Sequence, residues 1–331
     1  MKKLYFVAIF IGLVITPFFT DAHVKWFTEL KPQKETIEHI LSPLFMSIAL
    51  LAAVILALLP LLIPKIEKWP SVKKWDQKLS NVRVYSRTIL KYGTAAALVL
   101  QVINGSLFAP ELEINHSLAI IFTWVAIGLL LIPHHLSTKL GSVVLLGLFI
   151  YITTQHGIFY MLDYGFYIAI FAVLFVGKTK YENIGFPFLY LGTGLSLCWV
   201  AVEKWVYPSM SLDIVVNHHV PTFGFEPSVF IVMAAFIEFV VGYLLVVGIL
   251  NRVLGFIVTV IFVLTTMLFG MKEIIGHFMV HIILIIFIIE GVSFYHPPIK
   301  MHKTLIDQFI FVFLNFIFVL ATIVLIYYRF A

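Results

Sequence analysis

SVFIVMAAFIEFVVGYLLVVGIL, Ser228 to Leu250, decides the fold class, because its one ionisable residue is Glu238 and the rest is apolar or small. About 20 such residues in a helix cross roughly 30 Å of hydrocarbon, and a helix leaves no backbone group unpaired in lipid. Similar runs lie on both sides of it. Before it come Leu41 to Ile63, Val84 to Phe108, His116 to Ile132, Leu140 to Thr154, Tyr164 to Val176 and Phe186 to Val206; after it come Val253 to Phe269, Ile274 to Phe294 and Thr304 to Tyr328. The expectation is an all-α, polytopic membrane helical bundle of 10–11 spans. Composition agrees: 61% of the 331 residues are apolar and 12% charged, far from the balance of a soluble domain. The 32 Phe and 14 Tyr suit lipid-facing surfaces and interface belts and do not mark a cofactor box.

The chain opens with Met1-Lys2-Lys3 and LYFVAIFIGLVI, then Pro17, and reaches Ala22 through TPFFTDA. This reads either as a signal peptide cleaved after Ala22, leaving His23 as the new terminus, or as an uncleaved anchor helix. Loop charge sets the orientation. Lys65, Lys68, Lys73, Lys74, Lys78, Arg83, Arg87 and Lys91 crowd one connection, which the positive-inside rule places in the cytoplasm. Lys139, Lys178, Lys180, Arg252, Lys300 and Lys303 then also fall inside. The expected location is a bacterial inner (plasma) membrane, with the N-terminus cytoplasmic if uncleaved. Most unusual polar residues fall outside: His23, Glu29, His39, Glu111, Glu113, His116, His156, Asp163, Glu203, Asp213, His218, His219, Glu273 and His277.

A weak internal register reads either as a parallel duplication of a four-helix module or as coincidence in glycine-punctuated apolar sequence. Leu140-Gly141 and Gly177 register with Leu254-Gly255 and Gly291, and Tyr92-Gly93-Thr94 registers with Leu191-Gly192-Thr193. Positions matching Glu203, Glu238, Arg252, Lys272, His277 and His281 are Asn104, Trp124, Thr138, Ile158, Asp163 and Tyr167, so the ionisable set belongs mainly to the second copy. The division that follows is residues 1–39, signal peptide or anchor plus outer segment; 40–83, second helix and basic cytoplasmic loop; 84–178, first four-helix module; 184–294, second four-helix module; and 304–331, C-terminal helix.

EKWVYP after the first helix of the second module, Glu238-x3-Gly242 leading through LLVVGILNR to Arg252, and FGMKEIIGH before the fourth helix resemble the DoxX-like family of bacterial integral membrane proteins. The resemblance covers about 186–291, and the HVKWF block at 23–27 is similar to larger members that carry it just after the first apolar segment. It implies a four-helix membrane module, in some members a subunit of quinone-linked sulfur or terminal oxidase systems.

Individual residues carry paired readings. Glu238 lies mid-helix, where an ionisable group is functional by default, and otherwise forms an interhelical hydrogen bond or ion pair. It and Lys272 are the candidates for proton transfer or charge pairing. In FGMKEIIGHFMVHII, Phe269 to Ile283, Glu273, His277 and His281 stack at i, i+4, i+8 on one helix face. They are candidate metal ligands, copper or zinc by donor type, and His23, His218 and His219 are candidates to complete the set; hydrogen bonding and proton transfer are the alternatives. Trp26 and Trp205 read as interface anchors, with Lys204 extending into headgroups.

Several chemistries are argued against. Cys198 is the only cysteine, so there is no disulfide relay. No phosphate loop is present, so ATP is not expected, and the basic excess sits at the membrane surface, which argues against nucleic acid. The leading functional expectation is a membrane component of envelope redox, quinone-linked, or of metal handling, with a membrane redox partner subunit in the lipid bilayer. The alternatives are a proton-coupled secondary transporter and a non-catalytic assembly partner. Substrate, metal and electron acceptor are not specified by any pattern.

Overall fold

The computed structural model describes residues 24–67, 70–248, 251–291 and 304–331. The opening apolar segment, its expected cleavage site and His23 lie outside these residues. Every apolar run downstream falls on a helix. In chain order the helices are α1 (Val24–Phe27), α2 (Ile37–Ile40), α3 (Pro43–Glu67), α4 (Pro70–Ser80), α5 (Ser86–Ile103), α6 (Ser117–Leu131) and α7 (His135–His156). They continue with α8 (Phe166–Val176), α9 (Gly185–Val206), α10 (Pro208–Asn217), α11 (Pro227–Val247), α12 (Asn251–Phe269), α13 (Met271–Glu290) and α14 (Leu305–Phe330). Six are long and apolar enough to cross a membrane, and three more are shorter but apolar, so the chain is a multi-pass membrane bundle. Exposed Leu51, Phe122, Met267 and Phe318 are the side chains that such a bundle turns toward lipid.

Two helices lie where connections were expected. Within the basic loop, α4 forms beside α3, and its Asp76 bridges Arg83 at 2.8 Å and Arg252 at 3.0 Å. In the longer loop, Pro208 starts α10, whose Met210, Ile214 and Val215 pack with Val220, Phe230 and Ile231 as a small second core. Proline suits this first helical position because its missing N–H has no partner to lose there.

Among the described residues the exception to helix is one hairpin, β1 (Ser106–Leu107) and β2 (Ala109–Glu113). Its tip residue Phe108 has φ of 70° and turns inward onto Tyr167 and Phe149. Gln101 holds it there, accepting from the Phe108 N–H at 3.0 Å and donating to the Tyr167 hydroxyl at 2.9 Å.

The two four-helix blocks do not pack as separate bodies, because their first and last helices exchange partners. The first helix of the first block, α5, lies along α13, the last of the second, and α9 lies along α8. Glycines at registered positions permit both contacts: a Cβ on Gly93 would sit 2.6 Å from Ile282, and one on Gly192 would sit 2.6 Å from Ala169. The last helices end alike, with Arg87 donating to the Val173 carbonyl beside Gly177, and Arg252 donating to the Ile288 carbonyl beside Gly291. Inside the second block α9 and α11 cross at Gly194 and Gly242, where either Cβ would meet the opposite backbone. One apolar core runs through both blocks, and α14 closes it against α3 and α9.

Candidate functional site

The polar interior lies at one end of the bundle, around α1. This short helix carries Lys25 and Trp26 of the HVKWF block into a socket made by both blocks. Lys25 Nζ is 2.6 Å from Asp163 Oδ2, on the turn before α8, and 3.1 Å from Glu203 Oε1, near the end of α9. It also lies over the Tyr160 ring at 4.3 Å and donates to the Tyr160 carbonyl. Burial alone would lower the Lys25 ammonium, but Asp163 and Glu203 outweigh it and hold it well above the ordinary lysine range.

Trp26, the next residue, turns to the other block. Its indole lies against Gly276, where a Cβ would stand 2.0 Å from the ring, and packs on His277 with centroids 4.8 Å apart. Its Nε1–H donates to the Tyr164 hydroxyl at 3.0 Å, and Tyr164 donates in turn to Glu111 on β2. Asp163 and His277 are the positions matched between the two blocks, so consecutive residues of α1 touch matched positions. Glu111 is buried, which pushes its carboxyl up to about 7 against the opposing hydrogen bond from Tyr164.

A second buried pair lies close by. Lys204 Nζ is 2.7 Å from Glu238 Oε2, both inside the bundle, which explains how α11 carries a carboxylate at mid-helix. Beside it opens a cleft of about 510 Å³, lined among others by Lys34, Glu35, His39, Ser209 and Ser228, with the buried Lys204 and Trp205 in its wall. Burial of Lys204 and Trp205 corrects the headgroup and interface-anchor expectation. Lys204 turns inward because Glu238 needs a counter-charge, and Trp205 is enclosed by Phe45 and Phe236. Trp26 is corrected likewise, since Gly276 leaves room for its ring and Tyr164 accepts its N–H.

The other sequence candidates scatter. Glu273 Oε1 and His277 Nδ1 are 2.9 Å apart, and the His277 ring stacks on Phe262 at 4.1 Å. His281, one turn on, meets the edge of the same Phe262 at 6.1 Å and is only half-buried. His218 packs against Phe27 and Phe269, while His219 is exposed at φ of 52°. Lys272 is exposed and donates to the Trp26 carbonyl at 3.3 Å, so it caps α1 and leaves Glu238 to Lys204. Among the described residues no three His, Cys, Asp or Glu side chains converge as a ligand set. The residues that sequence reasoning passed over are Lys25, Tyr160 and Tyr164, and Lys204 was read as a headgroup contact. For the lysines the signal was cationic residues next to tryptophan in otherwise apolar ends.

The arrangement can hold and exchange protons and can offer a cation to an anion entering the cleft. Compared with protein-family models, with curated proteins and with solved structures, the chain matches none.

Proposed function

We propose that this chain is a proton-coupled secondary transporter of small organic acids, with the cleft as its outward-facing binding site. The observation that carries the reading is the Lys204–Glu238 pair, with Lys204 in the wall of that cleft. A buried ion pair within a spanning bundle costs desolvation and is retained where its charges are used. A carboxylate entering the cleft competes with Glu238 for Lys204. Glu238, deprived of its counter-charge while still buried, then takes a proton, so one solute anion and one proton enter together and charge balances. The serine hydroxyls supply further donors, and Trp205 supplies an apolar wall. Loop charge supports placing this end on the outer side of a plasma membrane.

The test is thermal stabilisation of the purified protein by a panel of small mono- and dicarboxylates across pH. Stabilisation by some acids that weakens as pH rises, and loses its pH dependence in Glu238→Gln, is expected. Binding with the same pH profile in both proteins would remove Glu238 from coupling. A second reading follows from the DoxX-like resemblance and the stacked His277: a membrane subunit of a quinone-linked redox or metal-handling system. Bound metal or visible absorbance lost in a His277→Ala, His281→Ala double variant would select it.

A further inference from the structure

A different group of charges sits below α1, away from the cleft. Asp163 and Glu203 approach one ammonium, Lys25, at 2.6 and 3.1 Å, and both carboxyls are buried. Sharing that one ammonium brings the two carboxyls close together. Each keeps one buried oxygen, Oδ1 of Asp163 and Oε2 of Glu203, with no donor among the described residues. If both were ionised, the site would hold two negative charges against one positive charge, with two acceptors lacking donors in a water-poor interior. Both conditions are costly.

We propose that Asp163 and Glu203 form a carboxyl dyad that binds one proton between them, with Lys25 neutralising the remaining negative charge. One O–H then donates from one carboxyl to the other, and the buried site is neutral overall. The groups facing the dyad fit that balance. Tyr160 and Tyr164 are held neutral by burial, Glu111 is linked to the site through Tyr164, and Tyr207 and Tyr327 flank its remaining side. Glu238 is engaged by Lys204. Because Lys25 arrives on a separate segment, the dyad's proton affinity depends on whether α1 is seated. With Lys25 withdrawn, the pair would retain its proton to higher pH. The dyad holds this proton whether or not the cleft over Lys204 carries a solute.

Infrared difference spectra of the full chain in lipid nanodiscs, taken between neutral and alkaline pH, test the dyad. The expected result is a carboxylic-acid C=O band at neutral pH that is lost at alkaline pH and shifts when 13C is placed in the carboxyls of aspartate or of glutamate, whichever of Asp163 and Glu203 holds the O–H; Asp163 is the buried aspartate among the described residues. The band should persist in Glu111→Gln and disappear in Glu203→Gln, where the amide N–H replaces the shared proton. Absence of any carboxylic-acid band lost between neutral and alkaline pH in the unsubstituted chain overturns the proposal, and this readout needs no variant to fold. Stabilisation by sodium without such a band overturns it too, by assigning the carboxyls to a cation.

Discussion

Glu111 is an acid that titrates near neutral pH, its carboxyl raised to about 7 by burial on β2, with Tyr164 hydrogen-bonded to it. Its folded-state value of about 7 lies above the ordinary 4.5, so the folded protein binds this proton more tightly than the unfolded chain. The stability it contributes is complete below about 4.5 and is lost as pH rises through about 7. We expect the thermal midpoint to fall across that window and Glu111→Gln to remove much of the fall; an unchanged slope in the variant would place the titration elsewhere. None of this was legible in the sequence. Glu111 there is one acid in an outer connection, and its partner Tyr164 lies 53 positions away, a contact that no local pattern announces. Glu238, by contrast, stood out at once, since a carboxylate amid apolar residues must find a partner. Its partner Lys204 lies 34 positions away and had to be seen.

Among the elements, α1 is too short to be stable alone, and it is held by what its side chains enter. Gly276 is the condition for that seat. A methyl group there overlaps the Trp26 ring, so Gly276→Ala should displace α1 and cost about 1–3 kcal/mol, as overpacking of a filled site does. Trp26 would lose its Tyr164 acceptor, and a red shift in tryptophan emission with easier proteolysis near α1 would report it. Gly128→Ala on α6, where a Cβ meets nothing within 4 Å, should leave both measurements unchanged. The spanning helices were legible from apolar run length, and α4 and α10 were not. α10 is stabilised by a local core assembled from α11 and its own loop, which run length does not reveal. The i, i+4, i+8 spacing on α13 did place three polar groups on one face, but Phe262 packs on both His277 and His281, and spacing cannot show what a neighbouring helix brings against that face.

For the molecule as a whole, exchange of helix partners makes the two blocks one folding unit. Split at the 182–184 turn and expressed separately, neither half should give a monodisperse product, since α5 would lack α13 and α8 would lack α9. Co-expressed halves should reassemble into a species that elutes like the intact chain; a half that is monodisperse and protease-resistant alone would contradict the exchange. The glycine register hinted at two similar blocks, but it could not show that Gly93 and Gly192 each serve the neighbouring block. The seating of α1 also bears on how the protein is made. Lys25 and Trp26 are translated long before Asp163, Glu203 and Gly276, which form their socket. The buried lysine has no counter-charge until the turn before α8 brings Asp163 and lacks the second, Glu203, until α9 follows, and the indole has no berth until α13. The earliest of these segments therefore docks only after α13 has been made, when about 250 positions of chain already separate Trp26 from Gly276.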